Sequence, residues 1–380
     1  MLGFIRRQLR HLRKRHSSYT PLIEVRVSKD AILHNLDVFR GLGKPSVVPV
    51  LKSNAYGHGL IEVAEILDDQ RLPFLCVDSY FEALILRNEG IQTPILFLGY
   101  TPLENILNNH LSDVAFGILS LEELAALAEG IRTPVNIHLK LDTGMHRHGV
   151  TPHDIDAAIA ILKSHPSIVL EGVYSHFADA DTADSVHAKK QIEAWNGTVA
   201  RFKKEFPALR YTHLAATSGA YFNEKIDANV MRLGIGLYGF NVSLGKIDLH
   251  PALEMITRIS SVRTITGGES VGYNATFTAE KEMRVATIPV GYTEGLDRRL
   301  SSKGSVSVRS TACPILGRVS MNITSIDVSD VPDVRINEPV TVVSAKPSDP
   351  NSIESMARVC GTIPYELLVR IPAHLRRVVY

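Results

Sequence analysis

The chain has 380 residues, with 41 Lys plus Arg against 40 Asp plus Glu, and 45% of it is apolar. A net charge of +1 excludes a globally basic nucleic-acid binder, and no apolar run is long enough to span a membrane. Cys76, Cys313 and Cys360 lie far apart, with neither metal-ligand spacing nor a disulfide framework, so packing or surface thiols in a reducing cytoplasm are expected. The first element is residues 1–18, a basic extension carrying Arg6, Arg7, Arg10, Arg13, Lys14 and Arg15 and no acid. Leu2, Ile5, Leu9 and Leu12 recur at helical spacing, which reads as a basic amphipathic helix without the apolar core of a secretory signal. A transit-like segment, a membrane-surface anchor and a solvated extension are the three readings, and the solvated extension is preferred because charge runs are usually solvated.

Residues 19–245 predict one large domain. Apolar strand-like runs cover Ser46–Lys52, Pro73–Val77, Pro94–Leu98, Asp113–Ile118, Val135–Leu141, Ile168–His176, Arg210–Ala215 and Met231–Tyr238. Helical patterns stand between them, as in LIEVAEILDD, SLEELAALAEG and HAKKQIEAWNGTVARFKKEF; Ser120 with Glu123 three residues on is a capping-box signal. Eight strands alternating with helices predict an α/β fold, a (β/α)8 TIM-like barrel. The alternative is an open doubly wound sheet, but no G-x-G-x-x-G follows the first strand. Residues 246–380 change texture: β-rich runs separated by Gly and Pro turns predict a C-terminal, mostly β domain, with helical periodicity returning at SIESMARVCG.

Barrel enzymes gather their chemistry at the C-terminal ends of the strands. The first strand ends in Lys52, which is either a lysine snorkelling to the rim or a Schiff-base lysine. The loop beyond carries Gly57 and Gly59 for close backbone approach, and Tyr56 as a hydrogen-bond partner for a phosphate. Arg147, after the fifth strand, has the planar fork that suits a carboxylate, or else pairs with Asp142. The sixth strand ends in His176, which alone signifies little. The eighth carries Arg232 and then Gly234-Ile235-Gly236, where small residues either free N–H groups for an anion or serve close packing. One rim with a lysine, two arginines and a histidine suits a phosphorylated aldehyde cofactor.

VPVLKSNAYGHG resembles the cofactor-lysine signature of the alanine racemases, the fold-type III pyridoxal-phosphate (PLP) enzymes. KLDTGMHRHG, YSHFADAD, NVMRLGIGLYG, VGYNATFTA, IPVGYTEG and GRVSMN extend the resemblance in order from Ile23 to Arg377. It implies PLP held by Lys52, with Tyr56, Thr217, Ser218 and the N–H groups of Gly234 and Ile235 toward the phosphate. It implies Arg232 facing the pyridine nitrogen and His176 linking Arg232 to Tyr273. It implies a homodimer with shared sites, in which Lys52 and the partner's Tyr273 act as two bases on opposite faces of a small amino-acid substrate. Arg147 and the Met321 backbone match the substrate-carboxylate contacts, Tyr292 and Arg298 match residues of the entryway, and Lys140 matches a lysine that is carbamylated in some members. Residues 23–27 are expected to join the β domain. No metal, no nucleic acid and no transmembrane segment are expected.

The implied activity is interconversion of L- and D-alanine in the cytoplasm, supplying D-alanine for peptidoglycan. Nearby positive charge from the Arg232 and His176 network is expected to lower the pKa of Tyr273. The departures are Ala216 where many members have asparagine, Asn322 for the common aspartate, His146 for a glycine, and Ile371-Pro372-Ala373-His374 where some carry a phosphate-binding tyrosine. They keep open a racemase for serine, lysine or a broad range, and a non-catalytic PLP-binding protein.

Overall fold

A computed structural model describes residues 20–43, 45–182, 184–241 and 247–380. The basic extension of residues 1–18 lies outside them. Two compact units result among the described residues: those within 32–52 and 63–249 form one, and residues 20–31, 53–62 and 250–380 the other.

Strand β1 (Glu24–Val27) belongs to the second unit. The first unit carries β2 (Ser46–Pro49), β3 (Leu75–Val77), β4 (Ile95–Phe97), β5 (Val114–Ile118), β6 (Val135–Lys140), β7 (Ile168–Tyr174), β8 (Tyr211–His213) and β9 (Val230–Leu233). β3 to β8 form a curled parallel sheet in sequence order, and β2 pairs in parallel with β9. A bridge from Val50 to Cys76 ties β2 to β3, and the Asn229 amide donates to the Thr212 carbonyl between β9 and β8, so the ring of eight strands closes. These strands are buried on both faces because helices cover the outside, which explains their near-continuous apolar runs.

The intervening helices start where side chains can satisfy the first amides. Ser79 caps Tyr80–Asn88 with a full capping box to Glu82. Ser120 likewise accepts from the Glu123 amide, but the Glu123 carboxylate reaches back to the Leu119 amide, one residue earlier than a capping box would place it. The stretch expected to continue β9 to Tyr238 instead breaks at Gly234 into a 3-10 turn, Ile235–Tyr238. A Cβ on Gly236 would lie 2.7 Å from the Phe39 ring, so the turn packs too closely on its neighbours for a side chain there.

The second unit is a nine-stranded sheet built on β10 (Leu253–Arg258), β11 (Ser261–Ile265), β14 (Met283–Ile288), β15 (Ser305–Val308), β16 (Thr311–Leu316), β17 (Thr324–Asp327), β18 (Pro339–Val343) and β19 (Arg376–Val379); β12 (Ser270–Val271) and β13 (Phe277–Thr278) form a separate hairpin. β1 lies between β10 and β19. β16 was not legible because of Pro314, a residue that removes a ladder donor. Here Pro314 pairs toward β15 only, and pairing toward β17 begins at Ile315. Among the described residues no helix is long and apolar enough to cross a membrane.

Candidate active site

The C-terminal ends of the barrel strands carry a concentration of positive charge. Pairing of β2 toward β3 persists to the Leu51 amide, and Lys52 follows at once. Its Nζ lies 3.8 Å from Asp78 Oδ1, and its side chain is 41% exposed. Asp78 ends β3 and carried no motif of its own.

β6 delivers Lys140 into a buried position, with Nζ 5.7 Å from the Tyr174 ring centre. Burial lowers its pKa to about 8, helped by the charges of Arg147, Arg232 and Lys52 against the weaker opposition of Asp142. The following loop hangs on Asp142, whose Oδ1 accepts from the amides of Gly144, Met145 and His146 at 2.9, 3.0 and 3.1 Å. Burial raises the Asp142 pKa, but these bonds outweigh it and the net direction is down. His146 sits at φ 54°, the left-handed conformation that explains why a glycine is common there, and its Nδ1 is 3.4 Å from Asp142. Arg147 is exposed and is not paired with Asp142 among the described contacts, contrary to the structural alternative read from the sequence.

Arg232 is buried on β9, and its donors are almost fully committed. Nη1 donates to His213 Nδ1 at 2.6 Å and to the His213 carbonyl at 3.0 Å. Nη2 donates to the carbonyls of Ser175 and Leu214 at 2.6 and 3.0 Å, and to His176 Nδ1 at 3.1 Å. That leaves the Nε–H as the guanidinium donor with no acceptor among the described residues. A guanidinium only donates, so the nitrogens facing it must be bare. His176 therefore carries its proton on Nε2, and so does His213, which passes it toward His138 Nδ1 at 2.8 Å. His138 in turn must hold its proton on Nε2, which fixes one tautomer along the whole barrel axis. Tyr174 stacks on His213 at 5.2 Å, and Arg232 lies 5.6 Å from the same ring.

Burial lowers the pKa of His138 and of His176 to about 3, with Arg232 the next cause, and lowers that of His213 well below its ordinary value. His176 is thus neutral. It contributes an N–H to the network, and the charge is that of Arg232. Gln191, which the sequence did not mark, fixes His176 from behind: its Nε2 donates to the His176 carbonyl at 3.0 Å, and its Oε1 accepts from the Ala178 amide at 2.9 Å.

Thr217 is buried, and its hydroxyl oxygen accepts from the Gly236 amide at 3.2 Å, leaving the O–H to donate elsewhere. Ser218 opens the next 3-10 turn, and Gly234 and Ile235 open the turn after β9, where first-turn amides have no acceptor within the turn. Lys52, Lys140, Arg147 and Arg232 all act electrostatically on His176. Four cations and a set of uncommitted donors form a site for an anionic ligand. A phosphorylated aldehyde fits it: a lysine for the aldehyde, a single guanidinium N–H for a ring nitrogen, and hydroxyl and amide donors for the phosphate.

The second unit carries the other residues singled out in the sequence. Ser53, Asn54, Ala55 and Tyr56 all have φ between 50° and 57°, a full left-handed turn of residues with side chains. Such a conformation costs roughly 1–2 kcal/mol per residue and survives only where the surroundings impose it. Gly57 and Gly59 were expected to allow close backbone approach. A Cβ on Gly57 would lie 2.0 Å from the Leu368 carbonyl oxygen, and one on Gly59 would lie 2.6 Å from Glu62 Oε2, so both glycines permit close packing within the second unit. Tyr56 is buried 5.9 Å from the Tyr365 ring.

Tyr273 is 69% exposed at the tip of the β12–β13 hairpin, which Val271, Phe277 and Ala279 anchor on Val285 and Leu316. Met321 is also exposed, and its carbonyl accepts from the Thr293 amide at 3.0 Å. A Cβ on Gly291 would lie 2.3 Å from that carbonyl, so residues 291 and 321 interlock. Asn322 Nδ2 donates to Glu294 Oε1 at 2.6 Å, and Glu294 Oε2 accepts from the Gly291 amide at 2.8 Å. The missing aspartate is thereby explained: a carboxylate at 322 would confront the buried Glu294. Tyr292 and Arg298 both line a surface depression of about 420 Å³ with Gly295, Asp297 and Arg370.

The family profile described as "Alanine racemase, N-terminal domain" matches residues 27–242, and "Alanine racemase, C-terminal domain" matches residues 252–379. An alanine racemase of Syntrophobacter fumaroxidans is 35% identical over 91% of this chain and 94% of its own. One from Desulfosudis oleivorans is 32% identical over 93% and 95%. Among solved structures, the alanine racemase of Clostridium difficile 630 superposes with a TM-score of 0.88 at 26% identity, covering 96% of this chain and 97% of that one. The biosynthetic alanine racemase of Pseudomonas aeruginosa gives 0.82 at 32% identity, covering 95% and 100%. The chain belongs to the alanine racemase family of isomerases.

Proposed function

We propose that this family member interconverts L- and D-alanine by two bases, Lys52 and Tyr273 of the partner subunit, with pyridoxal phosphate as cofactor. The observation that carries the reading is Arg232, whose four Nη hydrogens are held by protein acceptors while Nε–H remains for a ring nitrogen. When bound, the cofactor supplies a conjugated ring that takes up the electron pair left at the substrate Cα. Lys52 would hold it through Nζ, with Tyr56, Thr217, Ser218 and the amides of Gly234 and Ile235 toward its phosphate. Arg232 would offer the cofactor's ring nitrogen an N–H while giving up no proton to it.

Racemisation needs a proton removed from one face of Cα and another delivered to the opposite face, which one base fixed on one side cannot do. Lys52 Nζ serves one face. The phenolic oxygen of Tyr273 serves the other, and its exposure at a hairpin tip is what a group reaching a second subunit requires. The His176 Nε2–H is the donor that would stabilise the phenolate, with the Arg232 charge behind it. Arg147 and the Met321 backbone hold the substrate carboxylate, and Tyr292 and Arg298 line its entryway.

Lys140 has the properties of a carbamylation site: a buried amine, neutral in part near pH 8, among Arg147, Arg232 and Lys52. Adding CO2 there would turn a repelled cation into an anion facing three cations. A homodimer follows from the shared base, and D-alanine for peptidoglycan is the product's use. The test is borohydride reduction of the yellow holoenzyme followed by peptide mapping, alongside chiral assay of alanine. A label on Lys52 and inversion of alanine are expected; a label elsewhere, or no inversion, refutes the reading. Inversion of serine or lysine in place of alanine would change the substrate and keep the residues.

A further inference from the structure

The left-handed turn at Ser53–Tyr56 is held through its carbonyls. Three are taken by amides at the exit of the turn: Gly57 to Ser53 at 3.2 Å, Gly59 to Asn54 at 3.0 Å and His58 to Ala55 at 3.0 Å. The Tyr56 carbonyl faces His58 Nδ1 at 3.0 Å, and the Asn54 side chain accepts from the Leu60 amide at 2.9 Å. The Gly57 carbonyl has no such local donor. It accepts instead from Arg377, from Nε at 3.3 Å and from Nη2 at 2.8 Å.

Arg377 is buried, and the rest of its guanidinium serves the C-terminal segment: Nη1 donates to the carbonyls of Pro372 and Leu375, and Nη2 to that of Ile371 at 3.1 Å. One planar fork therefore ties the turn bearing Tyr56 to residues 371–375. The Leu368 carbonyl, against which Gly57 has no room for a Cβ, closes the same contact from the other side. This segment reads Ile371-Pro372-Ala373-His374 where some relatives have a phosphate-binding tyrosine, and here it contributes backbone carbonyls to Arg377.

We propose that Arg377 is a positioning residue for the cofactor phosphate, acting through the Gly57 carbonyl to hold the left-handed turn in the conformation that presents Tyr56. The inference rests on the assignment of Tyr56 as a phosphate ligand. Arg377 does not touch the phosphate, since its donors are committed to carbonyls. Lysine cannot replace it, because a point charge on a flexible stem does not reproduce a divergent planar set of donors.

The test compares pyridoxal phosphate with pyridoxal, which forms the same bond to Lys52 but lacks the phosphate. The full-length protein, stripped of cofactor, is titrated with each compound. Arg377→Lys and Arg377→Gln should raise the apparent Kd for pyridoxal phosphate by about tenfold or more, the scale on which remote misplacement acts, and leave that for pyridoxal within about threefold. Equal weakening of both, or an unchanged ratio in a folded variant, overturns the proposal. Tyr56→Phe separates the premise: if it raises the ratio of the Kd for pyridoxal phosphate to that for pyridoxal and the Arg377 variants do not, only the role of Arg377 fails; if it leaves the ratio unchanged, the phosphate assignment fails and the proposal with it. Should neither Arg377 variant fold, amide exchange in the wild type decides. Pyridoxal phosphate should slow exchange at Gly57, His58 and Gly59 and pyridoxal should not; equal slowing refutes the idea.

Discussion

Asn322→Asp offers a sharp perturbation, because it restores the residue common in the family and should harm this chain. Asn322 Nδ2 stands 2.6 Å from Glu294 Oε1, and the other oxygen of Glu294 is fixed by the Gly291 amide. Substituting a carboxylate removes a donor from an ionised acceptor and sets two negative charges about 4 Å apart, worth roughly 4 kcal/mol at an effective dielectric of about 20. Glu294 is buried but Asn322 is exposed, so solvent screening reduces this to about 2 kcal/mol. The pair can escape by holding one proton between them, which raises the folded-state pKa of the pair above its unfolded value. The sign follows: the penalty is absent below the ordinary carboxylate range, grows as pH rises through the raised pKa, and then levels off. Thermal unfolding of wild type and variant between pH 5 and pH 8 measures it. The gap should widen by about 1 kcal/mol over this range, which starts above the ordinary carboxylate pKa, and Glu294→Gln in the same chain should close it. A gap independent of pH, or no rescue by Glu294→Gln, would refute the reasoning.

Three further outcomes are expected. Lys140 should take up carbon dioxide: under 13C-bicarbonate at pH 8 the protein should show a carbamate carbon resonance that Lys140→Met abolishes, and a spectrum without one would remove the proposed modification. His58, buried with its pKa lowered to about 4, and His138, His176 and His213 are neutral in the fold and charge on unfolding. Their folded pKa lies below the unfolded value, so stability is retained above about pH 6.5 and lost as pH falls, by roughly 1 kcal/mol per histidine per pH unit. His138→Gln should flatten that acid limb in denaturant titrations at pH 5 to 7; an unchanged slope would mean that His138 is already protonated. Gln191→Ala should leave the barrel folded and reduce kcat more than it raises KM, since it frees the loop that aims His176; a purely KM effect would place Gln191 elsewhere in the reaction.

The barrel was legible because its strands are buried on both faces and read as apolar runs of the right length, and because helices with Ser caps separate them. Lys140 and His176 were visible as polar residues closing or just following such runs. Other features carried no local signal. KSNAYGHG reads as a loop, and only Asn54 and the glycines hint at positive φ; the contacts of the left-handed turn's exit with Arg377 and Leu368 come from more than 300 residues away. His138 and His213 sit inside apolar strands, where a histidine reads as packing, and their function as a tautomer-fixing chain exists only once β6, β8 and β9 are brought together in one barrel. The neutrality of His176 was likewise hidden, since burial and four surrounding cations decide it. The aspartate missing at 322 looked like a lost charge near the substrate, and Glu294 gives it a different meaning.

The most direct test of two-base racemisation is the fate of the Cα hydrogen in D2O. The holoenzyme is given L-alanine, then D-alanine, and the reaction is stopped early. The antipodes are separated by chiral chromatography, and deuterium is measured in each by NMR. Two bases on opposite faces predict that product alanine carries deuterium while recovered substrate stays largely unlabelled, and that Tyr273→Phe suppresses inversion in both directions. Equal labelling of substrate and product, or inversion that survives Tyr273→Phe, would contradict the account.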